Sequence, residues 1–123
     1  MAKTGSEEYI FETTDPLNNI VYLTKERWEE HIVEIETGHI ELIGEENLVK
    51  KAVEDPDNIF EDKKFPGNYN YIYEHSNPFL KLKGQYLKVV VSRDLSGQIL
   101  TAFPTDAGKQ KTKPIYTKND YID

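Results

Sequence analysis

Three histidines, His31, His39 and His75, are the side chains best suited to move protons near neutral pH. They lack the His-Glu-x-x-His spacing of a zinc protease, and a three-histidine metal site is the weaker reading of them. The chain has no cysteine, which removes thiolate nucleophiles, disulfides and thiolate zinc sites together. The carboxylates show no EF-hand spacing, and the seven glycines are scattered rather than gathered into a phosphate-cradling loop. No metal and no cofactor are expected. Beside the histidines, the groups with chemical potential are Lys88, Arg93, Ser92, Thr101 and a tyrosine-rich run at 69–73.

The elements that must position these groups follow from pattern and punctuation. Tyr9–Thr14 and Ile20–Leu23 flank the turn residues Asp15, Pro16, Asn18 and Asn19, and predict a β-hairpin. Thr24 is an N-cap for a helix whose apolar stripe is Trp28, His31, Ile32 and Ile35, ended by Gly38. A second helix is predicted over 45–54, with Leu48, Val49, Ala52 and Val53 buried, and stopped at Asp55-Pro56. Four strands follow, at 58–62, 69–75, 86–93 and 98–103. The expected fold is α+β: an N-terminal β-hairpin and two helices packed on a four-stranded antiparallel sheet. One domain should span 1–123, with 1–8 and 105–123 partly flexible and a mobile basic loop carrying Lys109, Lys111 and Lys113.

Strand parity separates two faces. Leu87, Val89 and Val91, with Leu100 and Ala102, should lie under the helices. Tyr86, Lys88, Val90, Ser92, Ile99, Thr101 and Phe103 should face outward, where Lys88, Ser92 and Thr101 form a polar group beside aromatics. Arg93 falls on the apolar side, unless a bulge beside Gly97 brings it round to Thr101.

The net charge of −7 argues against a simple nucleic-acid binder, yet it averages two unlike halves. Residues 1–62 hold 5 Lys+Arg and 17 Asp+Glu, a net of −12; residues 63–123 hold 10 and 5, a net of +5. Read functionally, the second half offers a basic cleft to phosphates; read plainly, the first half is a solvated acidic surface. The opening residues MAKTGSEEYI carry no apolar signal-peptide core, and no apolar stretch approaches a membrane span, so the expectation is a cytoplasmic chain without membrane contact.

An ordered set of short strings carries a resemblance. These are Leu23-Thr24-x-x-x-Trp28-x-x-His31-Ile32, His39-Ile40-Glu41, Asp55-Pro56-Asp57-x-Ile59, Tyr86-Leu87-Lys88-Val89-Val90-Val91 and Ile99-Leu100-Thr101-Ala102-Phe103-Pro104. Over roughly residues 20–104 the chain resembles the phage- and mobile-element-borne nucleases of the barnase–EndoU–colicin–RelE superfamily. It has Ile40 where that family's second motif has proline. The resemblance implies helices before a four-stranded antiparallel sheet. It also implies metal-independent, toxin-like RNA cleavage, with RNA as substrate and an antitoxin or immunity protein as partner. It carries His31, His39, Lys88 and Thr101 over as catalytic candidates.

Such cleavage uses the 2′-hydroxyl as nucleophile, a base to take its proton, an acid for the leaving oxygen, and cations on the phosphate. Lys88 or Arg93 would hold the phosphate, Thr101 would donate to it, and Tyr71 or Tyr73 would stack a base; Ser92 and His75 complete the substrate-side candidates. Plainer readings stand beside these. His31 also reads as a core histidine, His39 as a loop residue, the tyrosines as packing, and Arg93 as half of a surface pair with Asp94. The rival function is a non-catalytic module of the same fold, binding or inhibiting a basic partner through the acidic half.

Overall fold

The computed structural model describes residues 8–36, 38–108 and 112–118. Tyr9–Thr14 (β1) and Ile20–Thr24 (β2) pair antiparallel, as the alternation predicts. The loop between them closes on Asp15, whose Oδ1 accepts the N–H groups of Leu17 (2.9 Å) and Asn19 (2.8 Å). Asn58–Glu61 (β3), Asn68–Glu74 (β4), Tyr86–Ser92 (β5) and Gln98–Thr105 (β6) lie side by side and antiparallel.

These strands are not a separate four-stranded sheet, and the α+β expectation is corrected. The described residues are mostly β, with one curled, mixed sheet of seven strands in the order β1-β2-β6-β5-β4-β3-β7 and only two short helices among them. Two pairings make the difference. The hairpin joins the sheet because β2 runs parallel to β6 at Tyr22 and Gln98, where the Tyr22 N–H donates to Gly97 O at 2.9 Å. Gly97 has φ +99°, and a Cβ there would lie 2.0 Å from Ile20 O, so only glycine lets the two chains meet. On the far edge, Pro114–Thr117 (β7) pairs with β3, within the stretch 105–123 that was expected to be partly flexible. Lys118 then reaches Asp55 at 3.0 Å. Of the three lysines assigned to the mobile basic loop, Lys109 and Lys111 lie outside the described residues, and Lys113 is exposed.

The first helix is also shorter than expected. Lys25–Arg27 (α1) starts on its Thr24 cap, whose hydroxyl accepts the Arg27 N–H at 3.1 Å. Trp28–Ile32 then widens into a π turn, closed by the Val33 N–H on Trp28 O. The wider turn brings Val33 under Trp28, so Trp28, Ile32 and Val33 are buried while His31 and Ile35 face solvent. The chain then reverses, and the His39 N–H donates to Ile32 O at 2.6 Å. Glu46–Glu54 (α2) buries Val49, Ala52 and Val53 in the main core against β1, β4 and β5. Among the described residues no helix is long and apolar enough to cross a membrane.

Candidate functional site

The two faces of the central strands carry different chemistry. The core face holds Tyr69, Tyr71 and Tyr73 of β4, opposite Val91, Val89 and Leu87 of β5. Tyr71 is fully buried and its hydroxyl donates to Asp15 Oδ2 at 2.5 Å. Burial first, and then the Asp15 carboxylate, push the Tyr71 phenol far above its ordinary value. Arg93 enters this same network. Its guanidinium lies 5.7 Å from the Tyr69 ring, and Nη2 donates to Ile20 O at 2.7 Å.

This arrangement gives four substrate-side candidates structural partners. Tyr71 has no exposed surface on which a base could stack, and Tyr73 packs against the core. Arg93 braces β5 to the hairpin instead of turning toward Thr101. His75 is buried, with Nε2 at 2.7 Å from Gly84 O and Nδ1 accepting the Asn77 N–H at 3.2 Å, so both ring nitrogens are occupied structurally. A fifth candidate, Ser92, is buried at the end of β5, where its hydroxyl accepts the Leu95 N–H at 3.2 Å and shapes the turn.

The bulge sits in β6, at Leu100. Val90 pairs with Thr101 but Val91 pairs with Ile99, leaving Leu100 as the extra residue. Ile99 therefore turns into the core and Leu100 turns out, the reverse of their expected parity. The freed Leu100 carbonyl accepts Arg27 Nε–H at 2.8 Å, which ties the first helix to β6. Beyond the bulge, Thr101 and Phe103 keep the outward parity, alongside Val90 and Lys88 respectively.

His39 joins this outer face because the chain reverses after the π turn. Its ring stacks on Phe103, with centroids 5.4 Å apart and planes inclined by 25°. Lys88 Nζ lies 5.7 Å from the same Phe103 ring. His39 Nδ1 stands 3.2 Å from Glu41 Oε2. The His39 side chain is 41% exposed, so solvent reaches it. Asp62 flanks the group through the charge of Lys88. Partial burial opposes its ionisation, but hydrogen bonds from Asn70 and from the Phe65 and Lys64 N–H groups, together with Lys88, hold its carboxyl below the ordinary value.

Of the four catalytic candidates, His39 and Lys88 meet on the Phe103 ring, and Thr101 lies two residues from Phe103 on the same face of β6. His31 stays apart on the exposed side of the π turn. Glu41 and Phe103, which contact these candidates, were not among the residues singled out from the sequence. The signal for Glu41 was its place two residues after His39, and for Phe103 its place opposite Lys88. In the tautomer that donates Nδ1–H to Glu41, His39 presents Nε2 as a proton acceptor, with the ring held by Phe103 and a cation nearby. Among the described residues no group of three or more metal-binding side chains is gathered.

No protein family, curated protein or solved structure matches the chain.

Proposed function

We propose that the chain is a metal-independent endoribonuclease whose site is the patch formed by His39, Lys88, Thr101, Phe103 and Glu41. The observation that carries this reading is the His39 ring, set between Glu41 and Phe103, with Lys88 on the same aromatic ring. Histidine oriented by a carboxylate is suited to take the 2′-hydroxyl proton. The 2′-oxygen then bonds to phosphorus and the bond to the 5′-oxygen breaks, giving a 2′,3′-cyclic phosphate. The leaving oxygen takes a proton from water. Lys88 offsets the negative charge that develops on the phosphate, and the Thr101 hydroxyl donates to a non-bridging oxygen. The basic balance of residues 63–123, which supply Lys88, Thr101 and Phe103, favours approach of a polyanion to those strands. As a toxin-like nuclease, it would be held in check by a protein partner.

The test is cleavage of total RNA and transfer RNA in EDTA, with His39→Ala and Lys88→Ala in parallel. Cyclic-phosphate products from the wild type, lost in both folded variants, are the expected result. No cleavage at any protein concentration would overturn the reading in favour of a protein-binding module.

A further inference from the structure

Two complementary surface features use none of the residues of the proposed cleavage patch. One is a knob between β4 and β5, where Phe79 is 82% and Leu82 86% exposed. These two side chains stand on a fixed support. Asn77 Oδ1 accepts the N–H groups of Phe79 (2.9 Å) and Leu80 (3.2 Å), Leu80 is buried, and the buried His75 joins Asn77 to Gly84. Exposed Lys81 and Lys83 flank the apolar pair. The other feature is a groove of about 550 Å³ whose apolar wall includes Trp28, Val33, Ile35 and Ile43, with Glu29 and Glu46 among its lining residues. Ile35 is 80% and Ile43 61% exposed, so the groove is open to a partner.

Knob and groove are neighbours. Asn77 Nδ2 donates to Glu45 Oε2 at 2.9 Å, directly beside the groove residues Gly44 and Glu46. We propose that the chain forms a two-fold dimer in which the Phe79/Leu82 knob of each copy enters the acidic-rimmed groove of the other. The chemistry selects this occupant: the groove asks for apolar tips flanked by cations, and the knob supplies them. Because the two are adjacent, a single two-fold axis can satisfy both at once and close the assembly. The inference does not rest on the ribonuclease reading.

Sedimentation equilibrium of the full chain, from micromolar to millimolar concentration, tests it. The expected result is a dimer weakened by salt and abolished in Phe79→Ser/Leu82→Ser, with circular dichroism unchanged. Lys81→Glu/Lys83→Glu and Glu29→Lys/Glu46→Lys should each weaken self-association by about tenfold. Mixing those two charge-reversed chains should restore dimers, as heterodimers. A monomer throughout would overturn the proposal, as would a dimer indifferent to Phe79 and Leu82 or a mixture that fails to pair. Monomers that bind anionic phospholipid vesicles through Phe79 and Leu82 would overturn it in favour of a membrane surface.

Discussion

The two faces of the central sheet are built from similar chemical parts and put them to different uses. On the core face, Tyr69 and Tyr71 meet a carboxylate, Asp15, and a cation, Arg93. On the outer face, Phe103 meets a cation, Lys88, and a histidine paired with a carboxylate, Glu41. In the first group hydrogen bonds bind the hairpin to the sheet and no solvent reaches Tyr71. In the second, the ring nitrogen opposite Glu41 remains available. The contrast between His75 and His39 is the same one in miniature. Each has a partner at Nδ1, but among the described residues only His75 also has a protein acceptor at Nε2. Accessibility after internal partners are satisfied, rather than residue type, separates a brace from a site.

Variants on the two faces should therefore fail differently. The largest effect belongs to the core face. Asp15→Ala removes an acceptor for two backbone N–H groups and leaves the buried Tyr71 hydroxyl without its partner. It should cost about 3 kcal/mol in urea unfolding, while the folded fraction keeps its cleavage rate. An Asp15→Ala protein as stable as wild type would break the comparison.

His39→Ala and Lys88→Ala should do the opposite. Each should lower RNA cleavage by at least about 100-fold, on the order of 2.7 kcal/mol in the barrier, and change unfolding stability by no more than about 0.5 kcal/mol. Phe103→Leu keeps an apolar side chain on β6 but removes the ring that His39 stacks on. A loss of about tenfold in cleavage rate is expected, and an unchanged rate would show that stacking does not position His39.

The smallest effect is on acid stability. Asp62 has a folded-state value below its ordinary 3.8. Its contribution is therefore complete above that value and is lost as pH falls through the depressed one. Asp62→Asn should leave stability at pH 7 slightly reduced and flatten the fall below pH 3.8, measured by thermal unfolding across the acid range. A steeper acid limb in the variant would contradict the assigned partners.

Much of the local structure was legible in the residues. Asp15 and Asn18 marked the hairpin turn, the Val49, Ala52 and Val53 stripe marked α2, and the run Val89-Val90-Val91 marked the central strand. Lys88, Thr101 and Phe103 were placed on one face by parity alone. The architecture was not legible, because it depends on non-local pairings. β2 meets β6 through Tyr22 and Gln98, 76 positions apart in sequence numbering, and nothing in either strand announces a parallel neighbour. β7 is short, and Pro114 and Lys113 disguise it as a loop. The Trp28–Ile35 periodicity predicted a longer helix than forms: the chain leaves the π turn at Ile32, and of the expected stripe Trp28 and Ile32 are buried while His31 and Ile35 face outward. The tyrosine face was the costliest ambiguity. Alternation shows that Tyr69, Tyr71 and Tyr73 share a side; only the burial of α2 against β4 shows which side it is.

The most direct test of the two-face account is chemical-shift mapping with a short RNA carrying 2′-deoxy substitutions, which binds but cannot be cleaved by 2′-hydroxyl attack. The account expects saturable shifts at His39, Lys88, Thr101 and Phe103, with Tyr71, His75 and Arg93 silent. Shifts centred on the acidic residues of α1 and α2, or none at concentrations where RNA is in large excess, would contradict it.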